Sequence, residues 1–74
     1  MDEGYIYANK YRRAIFEELS AGETNINRIA KKHRIFLPIA QRVIHEFEQE
    51  QLIENKNGKY QFTKQGEKLK QSIG

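Results

Sequence analysis

The side chains here that are equipped for chemistry are two histidines, four tyrosines and thirteen lysines and arginines. His33 and His45 stand on separate stretches, and nothing around either has metal-ligand spacing. Cysteine is absent, which excludes disulfide frameworks, cysteine-bearing zinc sites and thiol catalysis. No glycine-rich phosphate loop and no nucleophile motif occurs. The chain is therefore not expected to be an enzyme, and no cofactor or metal is expected. Tyr5, Tyr7, Tyr11 and Tyr60 can be read as a ligand box, but Tyr11 and Tyr60 sit at spacings more typical of core residues.

What remains is positive charge, and its distribution matters more than its total of +3. Residues 1–45 carry a balance of +3, residues 46–55 a balance of −4, and residues 56–74 a balance of +4. Glu46, Glu48, Glu50 and Glu54 make up the acidic stretch. An anionic partner must meet the two basic regions and avoid the stretch between them.

The elements that position these charges can be read from periodicity. At 74 residues the chain has room for one domain. Tyr11, Ala14, Ile15 and Leu19 recur at helical spacing, predicting a first helix from about Ala8 to Ala21, with Gly22 as its stop. Tyr5-Ile6-Tyr7 either extends that helix or forms an apolar arm. A second helix of eight or nine residues begins near Thr24 or Asn25 and turns Ile26, Ile29 and Ala30 inward. Lys31, Lys32 and His33 close it, where cations suit the helix dipole.

A third helix is expected from about Leu37 to Gln51. Ala40, Val43, Ile44 and Phe47 fall at i, i+3, i+4 and i+7, the pattern of one buried face. Pro38 fits only a first turn, so it marks where the helix starts. The cap position at Phe36 has no polar side chain. That omission is expected to cost about 1 kcal/mol and to leave the first backbone N–H groups free.

Two β-prone runs, from Leu52 and from Lys59, flank Asn57-Gly58, the strongest short hairpin signal. Thr63 then caps a last helix carrying Leu69 and Ile73, with Gly66 inside it at a cost of about 1 kcal/mol relative to alanine. The order is helix, helix, helix, hairpin, helix. The fold class is mainly α with a small β-hairpin, laid out as a winged helix-turn-helix. A three-helix bundle with a connecting hairpin is the plainer alternative.

Four stretches carry a family resemblance: Tyr11 to Leu19, Ile26 to Ile35, Gln41 to Glu54, and the Tyr60-Gln61-Phe62-Thr63-Lys64-Gln65-Gly66-Glu67-Lys68-Leu69 ending. In this order they resemble the first helix, the second helix and turn, the recognition helix, and the close of the wing in prokaryotic winged-helix transcriptional regulators. The likeness is to the broad MarR/ArsR-like type, and especially to small archaeal members. It covers nearly the whole chain and implies a single winged-helix domain over residues 1–74. It further implies a protein that binds duplex DNA as a dimer, one helix in the major groove and the wing on an adjacent groove or the backbone. The sequence departs from the family pattern at Phe36-Leu37-Pro38-Ile39, which is apolar where polar residues are usual, and at Gln51, where glycine is common.

With Ala40, Val43, Ile44 and Phe47 inward, 3.6 residues per turn fixes the opposite face. Pro38, Arg42, His45 and Gln49 point outward, with Gln41 and Ile39 on the flanks. Arg42 suits a bidentate contact to guanine, Gln41 one to adenine, and Ile39 a thymine methyl. Arg28, Lys32 and Arg34 are candidate phosphate ligands; a solvated helix end is the plainer reading of the same residues. Lys56, Asn57 and Lys59 are candidate wing contacts, although a charged hairpin also protects a sheet edge. One module of this size covers about 600–1,000 Å² of DNA, so a homodimer is expected. A winged-helix protein–protein interaction module is the alternative function, motivated by the apolar start and acidic end of the third helix. No apolar run reaches the ~18 residues of a membrane span, and Met1-Asp2-Glu3-Gly4 lacks a signal-peptide layout. The expected location is the cytoplasm.

Overall fold

Asn9 decides how the chain enters its first long helix. Its backbone is extended (φ −140°, ψ 126°). Its side-chain oxygen accepts from the backbone N–H groups of Tyr11 at 2.8 Å and Arg12 at 3.2 Å, supplying partners that a helix start otherwise lacks. In the computed structural model, which describes residues 3–73, the helix predicted from about Ala8 to Ala21 is therefore α2 (Lys10–Ser20), and a separate short helix, α1 (Glu3–Tyr7), precedes it. Met1, Asp2 and Gly74, part of the expected 1–74 domain, lie outside the described residues.

Tyr5-Ile6-Tyr7 is neither a helix extension nor a free arm: Ile6 is 1% exposed and belongs to the core. Arg12 binds α1 back onto α2. Its Nη1 donates to the Tyr5 carbonyl at 3.2 Å, and its guanidinium lies 4.2 Å from the Tyr5 ring centroid, within cation–π range.

The order continues with α3 (Ile26–His33), α4 (Leu37–Gln49), β1 (Ile53–Lys56), β2 (Lys59–Phe62) and α5 (Lys64–Ile73). Asn25 is the cap of α3, accepting from Arg28 N at 3.2 Å. The strands pair antiparallel, Ile53 opposite Phe62 and Lys56 opposite Lys59. Asn57 and Gly58 both have positive φ, 55° and 84°, as a two-residue type I′ turn requires. Thr63 caps α5 by accepting from Gly66 N at 3.1 Å and donates to the Gln51 carbonyl. α4 is two residues shorter than expected. Its chain turns at Glu50, and Gln51 takes the left-handed conformation (φ 61°) that glycine more often fills.

All four residues of the expected α4 stripe, Ala40, Val43, Ile44 and Phe47, are buried. Phe47 meets Phe16 of α2 edge-on, with centroids 6.2 Å apart, and Phe16 also packs on Phe62 of the wing at 5.1 Å. Full burial of one such ring stabilises the fold by about 1.5–3 kcal/mol. The aromatic chain ties α2, α4 and the hairpin together, so the outer face of α4 and the wing are held on one rigid body.

Glu18 sets α3 against α2. Its Oε2 lies 2.7 Å from His33 Nε2 and 3.0 Å from Lys32 Nζ. Hydrogen bonding from His33, then from Lys32, holds the carboxyl below its ordinary range. A depressed carboxyl stabilises the fold above its unfolded pKa, and that stabilisation disappears as pH falls through the lowered folded value. Glu18→Gln is therefore expected to lose about 0.5–1 kcal/mol at pH 7, in the range of partly exposed ion pairs. In denaturant titrations the gap to wild type should close progressively below pH ~4.5; a gap that persists at pH 2 would contradict this assignment.

Candidate nucleic-acid interface

α3 ends abruptly because Arg34 adopts the left-handed conformation (φ 54°) and its N–H closes onto Ala30 and Lys31 carbonyls. Ile35 N then donates to the Ala30 carbonyl at 2.8 Å, and Ile35 is buried. This is the usual sealed end of a helix, with an arginine where glycine is commoner. Three residues, 34–36, separate α3 from α4. A helix pair joined by so short a turn, backed by α2 and followed by a hairpin, is a helix-turn-helix with a wing.

The start of α4 follows its sequence-based expectation. Phe36 has no side-chain cap bond. Pro38 has no N–H, and Ile39 N donates to the Phe36 carbonyl at 2.9 Å. The N–H groups of Phe36 and Leu37 have no backbone acceptor among the described residues, as an uncapped helix start leaves them.

The outward face of α4 contains Pro38, Gln41, Arg42 and His45, all exposed, with Ile39 half-buried on its flank. Among the described residues Arg42 has no ion-pair partner. The acidic half of the helix is arranged differently. Glu46 is half-buried and turned toward α2, its Oε1 3.5 Å from Arg12 Nε. Glu48 and Glu50 are exposed near the C-terminal end, with Glu48 bordering a groove shared with Lys64 and Lys68 of α5. The first two turns of α4 thus carry Arg42 and no carboxylate, with Arg34 exposed just before them.

The other predicted cations fall into two groups. Arg28 Nε lies 3.9 Å from Glu23, Lys32 Nζ 3.0 Å from Glu18, and Lys56 Nζ 3.5 Å from Glu54. Their side chains are 76%, 68% and 62% exposed, so these pairs are weak and exchangeable with another anion. Arg34 and Lys59 are exposed and have no ion-pair partner among the described residues. Lys56 and Lys59 stand opposite each other beside the Asn57-Gly58 turn. Directly opposed like charges cost a hairpin stability, so an anion at the tip would relieve the pair. Asn57 is held in its positive-φ position while Asn55 Oδ1 accepts from Gly58 N at 2.8 Å.

One feature of this surface is absent from the sequence-based site. Phe36 is 70% exposed. Its neighbours Leu37 and Ile39 are only half-buried. The run's apolar character was legible, but its exposure depends on Phe36 standing outside the helix, one position before the buried stripe can begin. Among the described residues no group of three His, Asp or Glu side chains is placed to hold a metal ion.

The comparisons agree with this architecture. A family profile described as winged helix-turn-helix matches residues 12–74, and the chain belongs to that family. No curated protein matches the chain, and no solved structure does.

Proposed function

We propose that this chain is a sequence-specific transcriptional regulator of the MarR/ArsR-like type, acting in the cytoplasm as a homodimer on duplex DNA. α4 lies in the major groove, and the β1–β2 hairpin is a wing on the adjacent groove or backbone. The observation that carries this reading is Arg42, exposed beside Gln41 on the first turns of α4 and without an ion-pair partner among the described residues, with Glu46 turned inward against Arg12. The N-terminal part of a recognition helix is the part that meets base edges.

In this arrangement Arg42 reads guanine and Gln41 reads adenine, with His45 and Pro38 on the same face and Ile39 at its edge. Arg28, Lys32 and Arg34 hold phosphate and fix register, and Lys56, Asn57 and Lys59 form the wing contact. Ile6 is committed to the core, so the dimer surface must draw on Tyr7 and the outer faces of α1, α2 or α5. Such a dimer supplies the area that one module of about 600–1,000 Å² lacks for tight specific binding.

A salt titration on random duplex DNA tests the reading. Arg34 and Lys59 set a lower limit of two neutralised phosphates, and the three paired cations raise it to five. At about −0.9 per phosphate the log–log slope is expected between about −2 and −4.5 per protomer. No binding at low salt would instead favour the protein-interaction module, a role to which the exposed Phe36 also lends itself.

A further inference from the structure

Phe36 and Tyr7 are the large hydrophobic residues exposed among those described. Tyr7 has a neighbour for its ring, the Arg13 guanidinium 5.5 Å from the centroid. Phe36 has no aromatic or cationic partner among the described residues. It is not part of the core, and it supplies no side-chain cap. The local fold uses only its backbone carbonyl, which accepts from Ile39 N at 2.9 Å and Ala40 N at 3.1 Å.

From these facts we infer that Phe36 is a specificity-determining residue that reads thymine C5-methyl groups in the major groove, with Ile39 as its second apolar contact. This deepens the DNA-binding reading and rests on it. The C5-methyl of thymine is the apolar group that the major groove offers, and phenylalanine is among the side chains that meet it. Phe36 stands at the end of α4 that faces base edges in a helix-turn-helix.

The charges around it identify the occupant. Arg34 precedes Phe36 by two residues and Arg42 lies on the following turns, both exposed and without an ion-pair partner among the described residues. An apolar protein surface seated on Phe36 would have to desolvate these guanidiniums without supplying anions. A duplex provides phosphates for the arginines and methyl groups for the ring within one surface.

The test uses the full chain and duplexes recovered by selection from a randomised library. Selected sites should carry thymines at fixed positions, and each contacted thymine replaced by deoxyuridine should weaken binding about fourfold, as expected for loss of one buried methyl-sized group. Phe36→Ser should keep its melting temperature within a few degrees while losing the thymine-over-deoxyuridine preference in at least one position where the wild-type chain shows it. Equal affinity of the wild-type chain for both sites would overturn the inference and leave the regulator reading standing. Failure to bind any duplex would overturn that reading as well. The deoxyuridine comparison is made on the wild-type chain, so it holds even if the serine variant folds poorly.

Discussion

Gly66→Ala is expected to lower the melting temperature by about 12–25 °C, the shift that ~3 kcal/mol produces in a domain of this size. Helix propensity alone predicts the opposite sign, a gain of about 1 kcal/mol for alanine inside α5. Packing decides against propensity. A Cβ at Gly66 would stand 2.0 Å from the Leu52 carbonyl oxygen and 2.9 Å from Phe62 Cδ1. The Leu52 oxygen is not free to retreat, because it accepts from Thr63 N at 3.0 Å. Leu52 itself is 1% exposed. Room for one methyl therefore requires α5 to lift from the base of the hairpin, which places the change at or beyond the upper end of ordinary overpacking costs. Gly22 and Gly58 have open space where a Cβ would go, so alanine there meets only the backbone cost of positive φ. Thermal melts of the three variants followed by circular dichroism separate the two mechanisms. A loss under 4 °C at Gly66 would mean that α5 moves freely, and the wing would then not be rigidly tied to the helices.

The same residue shows where sequence reading reaches its limit. The i, i+3, i+4, i+7 stripe of α4, the Asn-Gly turn and the Thr63 cap were legible because each signal is local and its cause lies within a few residues. Gly66 was legible only as a propensity defect, since the carbonyl that requires it is fourteen positions away. Asn9 was hidden by a helical pattern that ran through it, and only its side-chain bonds to Tyr11 and Arg12 show the chain breaking there. On the outer face of α4, the geometry of 3.6 residues per turn was enough to place Pro38, Gln41, Arg42 and His45 in solvent. Which cations are already engaged was not legible. Lys32 meets Glu18 and Arg12 meets Glu46 across helix pairs, and no spacing rule connects them. Phe36 was placed at the cap within an apolar run, but nothing local in the sequence shows that its ring, more than Ile39, is the exposed apolar group.

Arg42→Ala is expected to weaken binding to the selected duplex about 5- to 150-fold, the ~1–3 kcal/mol of one bidentate base contact. It should leave the fold intact, because Arg42 is exposed and without an ion-pair partner among the described residues. Lys59→Ala is the matched control at the wing. It should weaken selected and random duplexes alike and reduce the magnitude of the salt slope by about one. The contrast matters more than either number. Any cation removed from a basic protein weakens its hold on DNA, so a uniform loss at Arg42 would assign that residue to phosphate rather than to a base. A loss confined to the selected duplex, with one base position relaxed in a repeated selection, assigns it to reading. Arg12→Ala cannot serve as a third point in this series. Arg12 is stacked on Tyr5 and bonded to its carbonyl, so its removal alters the packing of α1 before it alters charge. If Arg42→Ala and Lys59→Ala both leave duplex affinity within twofold, the exposed face of α4 is not where this protein meets DNA.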